Sequence, residues 1–210
     1  MNQQLPESAL PSISALRART KALALLDAIL CREWQYRYHS FNSAWASGEE
    51  MASMRDGCGD NWFLLFTSEG AALKGFAHEL SEVSVANAIQ TSVPSVFASF
   101  LREPAFSMRD ATFCYWRSAS DMKWHRVAPT SMGADGSMEM LALLVGGPVD
   151  YVEWANGYYE LSITLASVES IFSGEFLTTG LINSLNPEAD LTILSGDLEE
   201  IGYSHTLGMT

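Results

Sequence analysis

The sequence predicts an α+β fold, in which an antiparallel sheet of hairpins is flanked by helices and followed by an acidic, mainly helical C-terminal part. Two observations lead to this fold class. Residues 34–79 contain alternating apolar and polar residues separated by short glycine-containing turns, which is typical of hairpins. Helical spacing of apolar residues dominates after Pro148. Strands therefore precede most of the helices along the chain, as in many α+β proteins.

A chain of 210 residues is long enough for one domain with an appended subdomain. We expect a loose N-terminus over residues 1–11, because terminal residues are often poorly ordered. The α+β domain with the antiparallel sheet is expected over residues 12–147. An acidic helical subdomain over residues 148–210 is expected to pack on it.

The first predicted helix covers residues 14–31, where four leucines recur at helical spacing without an intervening glycine or proline. The periodicity then changes. Aromatic and polar residues alternate over residues 34–41, which predicts a half-buried strand with Trp34, Tyr36 and Tyr38 on one face.

Two hairpins are predicted next. The first joins a strand near residues 50–56 to one near residues 61–67, and the second leads through a short turn into residues 72–79. The first turn reads DGCGDN over residues 56–61. Its two glycines can adopt positive φ angles, and Asp and Asn favour turns through hydrogen bonds to nearby backbone groups. We interpret this segment as a turn rather than a chemical site.

The remaining elements follow from periodicity and turn residues. They are a helix over 83–102 that Pro94 interrupts, strands over 111–118 and 123–127, a strand or short helix over 138–146, and helices over 149–160, 165–173, 178–185 and 196–202.

The charge of the chain is divided unevenly. Residues 1–126 hold all twelve Lys and Arg against thirteen Asp and Glu, whereas residues 127–210 hold twelve Asp and Glu and no Lys or Arg. One interpretation is that the acidic residues only provide solubility. The other is a surface that meets a basic protein partner, because a patch of one sign accelerates association. Such a charge argues against direct binding of nucleic acid, which requires a basic surface.

Aromatic residues are interleaved with these acidic residues, so the C-terminal part is expected to fold. For a partner interface, the candidate residues are Trp154, Tyr158, Asp197, Glu199 and Glu200. Aromatic residues anchor many protein interfaces.

The expected compartment is the cytoplasm. Cys31, Cys58 and Cys114 are an odd number without close spacing, which indicates neither a disulfide framework nor a zinc site. The N-terminus lacks the pattern of a signal peptide, and no apolar stretch approaches the ~20 residues of a membrane helix.

A candidate ligand site centres on KGFAHE. If this segment is a strand, Lys74 and His78 lie on one face. Arg37, Arg55 and His39 from neighbouring strands can join them in a cleft. Such a set suits an anionic ligand or general acid–base chemistry. The alternative is the solvent-facing polar side of an antiparallel sheet.

Other motifs point to no chemistry. The histidines are scattered without metal-ligand spacing, and Asp56 and Asp60 lack the ligand pattern of a calcium loop. No nucleotide-binding or hydrolase motif is present, so no cofactor and no metal are expected. Cys58 lies in a turn where Arg55 can lower its pKa, but a turn cysteine is more often incidental.

Several segments resemble a group of bacterial hypothetical proteins to which no activity is assigned. The resemblance implies no catalytic residues. Small acidic bacterial proteins of this kind are often immunity or inhibitor proteins directed against basic toxins. The similar segments are RYHSFNSAW, GEEMASMRDGCGDNWFLLF and GAALKGFAHE within residues 37–79, and YVEWANGYYE and LNPEADLTILSGDLEEIGY in the C-terminal part.

Three hypotheses follow. The first is a non-enzymatic protein-binding module of the immunity or inhibitor type that uses an acidic C-terminal surface. The second is an enzyme or small-anion binder with a cleft on the N-terminal sheet formed by Arg37, Arg55, Lys74 and His78. The third is a structural subunit of a larger assembly.

Overall fold

A computed structural model describes residues 4–127 and 133–203, and it confirms the α+β fold. Within these residues, six strands form one sheet. The strands are β1 (His39–Ala46), β2 (Glu49–Arg55), β3 (Asn61–Thr67), β4 (Gly70–Phe76), β5 (Phe113–Ser118) and β6 (His125–Arg126).

The α-helices of the described residues flank this sheet. They are α1 (Ile13–Leu30), α2 (Ala86–Ser92), α3 (Ala98–Arg102), α4 (Ser137–Met140), α5 (Ala142–Val145), α6 (Pro148–Tyr158), α7 (Leu165–Phe172), α8 (Thr179–Leu185) and α9 (Leu191–Ile201). No helix of the described residues has the length and apolar character needed to cross a membrane.

The strands follow one another in the order β1-β2-β3-β4-β5-β6, and each neighbouring pair is antiparallel. Both predicted hairpins are therefore confirmed. The β3–β4 turn ends at Gly70, whose φ is 139°. A Cβ atom at Gly70 would lie 2.1 Å from the carbonyl oxygen of Arg117 on β5. A side chain at this position would therefore push β4 and β5 apart.

Both faces of the sheet are covered. One face, here called the helical face, packs through residues such as Leu64, Phe66, Leu73 and Tyr115 against α1 and the C-terminal helices. The other, here called the second face, packs against residues 85–111, here called the covering segment. The second face and the covering segment contribute Met51, Phe63, Leu65, Ala72, Cys114, Trp116, Val85, Ile89, Val93, Phe97, Phe100, Phe106, Met108 and Ala111 to a second apolar core.

Helix α1 is the central helix of the helical face. It has no internal glycine or proline, and the Ser12 side chain caps its N-terminus by accepting a 3.3 Å hydrogen bond from the Ala15 amide. Leu16, Leu23 and Leu26 are fully buried. The helix packs against β1, α7 and α9, so the C-terminal helices share one core with the sheet.

The prediction of a strand over residues 34–41 is wrong at its start. Trp34–Tyr36 form a 3-10 helix, and β1 begins at His39. The side chains of Trp34 and Tyr36 are 53% and 61% exposed, so these residues have no buried face. The alternation over residues 34–41 indicates a strand, but without burial of one face at its start the period of two has no energetic consequence there.

Part of the segment over residues 4–11 packs on the core, whereas residues 6–8 are exposed. Leu5 and Leu10 are buried, and the Tyr115 hydroxyl donates a 2.6 Å hydrogen bond to the Leu5 carbonyl. The Leu5 amide donates to the Ser137 hydroxyl at 2.9 Å. Residues 1–3 of the expected loose terminus lie outside the described residues.

Several other boundaries differ from the predictions. The predicted helix over residues 83–102 is divided into α2, a 3-10 helix and α3, with the break at Pro94. Most of residues 138–146 belong to two short helices, α4 and α5, and Leu141 separates them. Helix α9 begins earlier than predicted because the Asp190 side chain accepts hydrogen bonds from the Thr192 and Ile193 amides. Residues 204–210 of the predicted subdomain lie outside the described residues.

Candidate functional site

A cleft of about 400 Å³ lies at one end of the second face, where β2 ends, β3 begins and β4 ends. The sheet forms one wall with Arg55, Asn61, Phe63, Lys74 and Phe76. Arg55 pairs with Asn61, which in turn pairs with Phe76. Phe63 pairs with Lys74. Because paired residues of an antiparallel sheet point to the same face, all five side chains share the second face.

The rest of the lining comes from two other segments. The β2–β3 loop and the covering segment contribute Gly57, Gly59, Asp60, Ala105, Ser107 and Asp110.

The β2–β3 loop is the turn that the sequence predicts. The Asp56 Oδ1 atom accepts hydrogen bonds from the amides of Cys58, Gly59 and Asp60 at 2.8, 3.0 and 2.9 Å. Gly57 and Gly59 have φ angles of 78° and 122°. The predicted turn is present, and it also forms one border of the cleft.

Arg55 is a cation without a polar partner in the described residues. Its guanidinium group lies over the rings of Trp34 and Phe63, at 5.2 and 5.7 Å from their centroids. The group forms no hydrogen bond or ion pair with any described residue. Burial lowers the pKa of Arg55 from its usual value, but an arginine remains charged at neutral pH. Its N–H donors are therefore available to a ligand.

Lys74 is a buried cation in the sheet wall. Its side chain is fully buried, and Nζ donates a 2.9 Å hydrogen bond to Asn61 Oδ1. Nζ also lies 5.3 Å from the Phe63 ring centroid. Burial lowers the pKa of Lys74 to about 8, and the negative charge of Asp110 opposes this effect in part. Only one of the three ammonium donors has a hydrogen-bond partner among the described residues.

The covering segment adds a hydroxyl and a carboxylate. Ser107 has φ 46° and ψ 54°, in the left-handed region that non-glycine residues rarely adopt. It joins two 3-10 helices, Pro104–Phe106 and Met108–Asp110. The side chains of Ser107 and Asp110 are exposed and form no hydrogen bond with a described residue.

Two of the four residues predicted for the ligand site, Arg55 and Lys74, line the cleft together. His78 lies beyond the end of β4 and is exposed, so the prediction that it shares a strand face with Lys74 is wrong. Its backbone amide donates a 2.7 Å hydrogen bond to Asp60 Oδ1, which places it beside the loop.

Arg37 lies elsewhere and has a structural partner. Its Nη1 and Nη2 atoms donate to the Asp197 carboxylate at 2.7 and 2.8 Å, and Nε donates to the Cys31 carbonyl at 2.7 Å. The pair links the segment before β1 to α9. A residue proposed for the ligand site and a residue proposed for the partner interface thus bind each other.

His39 belongs to a buried hydrogen-bond network on the helical face. Asp27 Oδ2 accepts from the His39 amide at 2.7 Å and lies 3.0 Å from His39 Nδ1. Asp27 Oδ1 accepts from the Tyr151 hydroxyl at 2.6 Å. The network joins α1, β1 and α6, and no local sequence pattern indicates that these three residues meet.

The remaining residues predicted for a partner interface are only partly available. Trp154 is half-buried and packs with Tyr38 and Tyr158, at ring distances of 4.8 and 5.0 Å. Tyr158 is 41% exposed. Glu199 and Glu200 are both exposed. The interface stays a prediction.

No sequence motif marks the residues of the covering segment that line the cleft. Ser107 and Asp110 follow the predicted helix over residues 83–102 and carry no motif of their own. Asn61 was interpreted only as a turn residue. The single available signal was the lysine of an otherwise apolar strand, GAALKGF, because a buried ammonium group requires a polar partner.

Other chemical features are few. Cys58 is exposed, Cys31 is half-buried and Cys114 is buried. Within the part of the chain that the structure describes, no group of three or more His, Cys, Asp and Glu side chains is arranged to hold a metal ion.

Comparisons with protein-family models, with curated proteins and with solved structures found no match to this chain.

Proposed function

We propose that the protein binds a small organic anion, such as a carboxylate or phosphate compound, in the cleft at the end of the second face. The observation that carries this proposal is the convergence of Arg55 and Lys74 on one cleft. The proposal is supported by the free donors of Arg55, which two aromatic rings hold in place.

The surroundings of these cations favour an anion. Arginine presents a planar set of donors that matches carboxylate and phosphate oxygens. Lys74 adds a positive charge behind the Asn61 amide, where low polarity strengthens electrostatic interactions. The volume of about 400 Å³ lies within the range of small-molecule sites, about 300–1,000 Å³.

A thermal-shift screen with carboxylate and phosphate compounds tests the proposal. A ligand present at ~100 times its Kd stabilises the folded state by about 2.7 kcal/mol, which corresponds to a Tm increase of roughly 5–10 °C for a protein of this size. We expect Arg55→Gln to weaken binding by about 10- to 100-fold, because hydrogen bonds to charged groups contribute about 1.5–3 kcal/mol.

Arg102→Gln is the matched control. Arg102 is also an exposed arginine without a hydrogen bond to a described residue, but it lies outside the lining of the cleft. If Arg55→Gln and Arg102→Gln bind the ligand equally well, the proposal is wrong.

A second candidate function is binding of a basic protein through the acidic C-terminal surface. It is supported by the exposure of Glu199, Glu200 and Tyr158 and by the absence of Lys and Arg after Arg126. A pull-down from lysate with low-salt and high-salt washes would identify such a partner. Exchange of Glu199 and Glu200 for Gln should then slow association and flatten its salt dependence.

Exchange of Glu79 and Glu82 for Gln is the control for this second function. These exposed residues lie in the N-terminal part, and their exchange changes the net charge by the same amount. Equal association rates for the two double variants would contradict an interface at α9.

A further inference from the structure

We infer that the ligand of the cleft is an α-amino acid with an apolar or aromatic side chain, bound as the zwitterion. This inference rests on the proposed function and names its ligand class. The carboxylate pairs with Arg55 on the sheet wall, and the ammonium group pairs with Asp110 of the covering segment. The side chain lies against Phe63 and Phe76.

The cleft contains charges of both signs. Arg55 and Lys74 are cationic, and Asp60 and Asp110 are anionic. Asp60 accepts a 2.7 Å hydrogen bond from the His78 amide. The Asp110 carboxylate accepts no hydrogen bond from a described residue. A ligand that uses the whole cleft therefore needs a group that donates hydrogen bonds to Asp110.

The Asp110 carboxylate disfavours a ligand that carries only a negative charge. A simple monoanion on Arg55 would leave the Asp110 carboxylate without a hydrogen-bond donor among the described residues, with the Lys74 charge alone to offset it. It would also add a negative charge to the cleft that Asp110 lines, and like charges disfavour binding. An amino acid removes this repulsion because its ammonium group offsets the Asp110 charge. It also gives Asp110 a charge-assisted hydrogen bond.

Asp110 follows a turn whose backbone conformation is unusual. Ser107, in a left-handed conformation, joins two 3-10 helices, and the Asp110 amide donates a 2.9 Å hydrogen bond to the Ser107 carbonyl. Strained backbone conformations cluster at ligand sites. Here the strained residue lies in the cleft wall, and its free hydroxyl can bind the ligand's polar groups.

The size of the cleft and the polarity of its lining restrict the ligand further. The volume of about 400 Å³ is near the lower end of the range for ligand sites, about 300–1,000 Å³. Phe63, Phe76 and Ala105 provide an apolar part of the lining. A single amino acid with an apolar side chain matches both the volume and the division between polar and apolar surface.

Calorimetric titration with matched probes tests the inference. L-phenylalanine, L-leucine and L-valine are each compared with the acid that lacks the amino group and with the amide that lacks the charged carboxylate. We expect at least one amino acid to bind about 10-fold or more tightly than both of its analogues, because each analogue loses one charged hydrogen-bonding group. The amide also mimics a peptide N-terminus, so it separates a free amino acid from a peptide ligand.

Asp110→Asn assigns the ammonium contact. We expect this variant to lose about 10-fold or more of its affinity for the amino acid, while its affinity for the deaminated acid stays unchanged or increases. Glu79→Gln removes a charge from an exposed residue outside the cleft lining and should leave both affinities unchanged.

The outcomes separate the two proposals. If the deaminated acids bind as tightly as the amino acids, and Arg55→Gln weakens them, the cleft is an anion site and the amino-acid inference is wrong. If a phosphate compound binds but no carboxylate compound does, the amino-acid inference is wrong and the proposed function stands. If neither class binds, both proposals are wrong. If Asp110→Asn weakens acid and amino acid equally, Asp110 does not contact an ammonium group and the inference is also overturned.

Discussion

The Lys74 ammonium group donates a 2.9 Å hydrogen bond to the Asn61 side chain across β3 and β4, at the wall of the cleft. Lys74 is fully buried, so its charged group has lost its hydration. Within the described residues, the bond to Asn61 is the one side-chain hydrogen bond that it makes instead. Burial of an ammonium group costs free energy unless it is paired and hydrogen-bonded. A buried lysine with a single partner therefore indicates a site maintained for its charge rather than for stability.

Replacement of Lys74 by Met should change how stability depends on pH. The folded-state pKa of about 8 lies below the ordinary lysine value of 10.5, so the unfolded chain binds more protons between these pH values. The free energy of unfolding of the wild type therefore gains a contribution that rises from pH 8 to 10.5, by about 3 kcal/mol at most. Lys74→Met should lack this contribution, as measured by urea denaturation at several pH values.

The difference between the wild type and Lys74→Met isolates the contribution of Lys74, because the other titrating groups are present in both. Burial raises the pKa values of Tyr38 and Tyr115 to about 12, which lowers stability at high pH in both proteins. Lys123→Met, at an exposed lysine, is the control and should keep the wild-type pH profile. A Lys74→Met profile parallel to that of the wild type would show that the ammonium group is not destabilised by burial.

Asp27 should be a major determinant of stability. Asp27→Ala leaves the His39 amide and the Tyr151 hydroxyl without their acceptor in a buried environment. Each unsatisfied buried group costs about 1–3 kcal/mol, so we expect a loss of roughly 2–5 kcal/mol in chemical denaturation. Tyr151→Phe removes only one of these bonds and should cost less, about 1–2 kcal/mol. An equal loss in both variants would contradict the shared role of Asp27.

The Arg37–Asp197 ion pair should contribute more to the free energy of unfolding than an exposed ion pair does. The two side chains are 5% and 16% exposed, and Arg37→Met leaves the Asp197 charge unpaired. We expect a loss of about 2–4 kcal/mol in the free energy of unfolding. The control is Arg32→Met, since Arg32 pairs with Asp190 at 3.4 Å with 69% and 34% exposure. Its loss should stay below about 1 kcal/mol.

This ion pair also affects the test of a protein interface. A variant of Asp197 would change partner binding through the fold of α9, whereas Glu199 and Glu200 are exposed and test the surface directly. If Arg37→Met proves no more destabilising than Arg32→Met, Asp197 is free to serve at an interface.

The sheet could be predicted from the sequence because its turns are local. The Asp56 side chain and the glycines at 57 and 59 define the β2–β3 turn within a few residues. The alternation over residues 34–41 was ambiguous by contrast. Trp34 lies outside the sheet, and its ring packs against the guanidinium group of Arg55, which is distant in sequence. Local periodicity carries no information about such a contact.

The cleft could be predicted only in part. Strand alternation in KGFAHE predicts the face of Lys74, and the neighbouring predicted strand supplies Arg55. Ser107 and Asp110 reach the cleft through a left-handed turn and through packing of residues 85–111 on the second face. The prediction that Arg37 joins the cleft is wrong because its partner, Asp197, lies far along the chain. Long-range pairing of this kind is set by tertiary structure and leaves no local pattern.

The most direct test of the central claim is an NMR titration that observes the arginine side-chain Nε–H signals. The Arg55 and Arg102 signals are assigned by their loss in Arg55→Gln and Arg102→Gln. We predict that the anion selected by the thermal-shift screen moves the Arg55 signal saturably and leaves the Arg102 signal in place, because only Arg55 lines the cleft. An Arg55 signal that stays unchanged at saturating ligand would contradict the account.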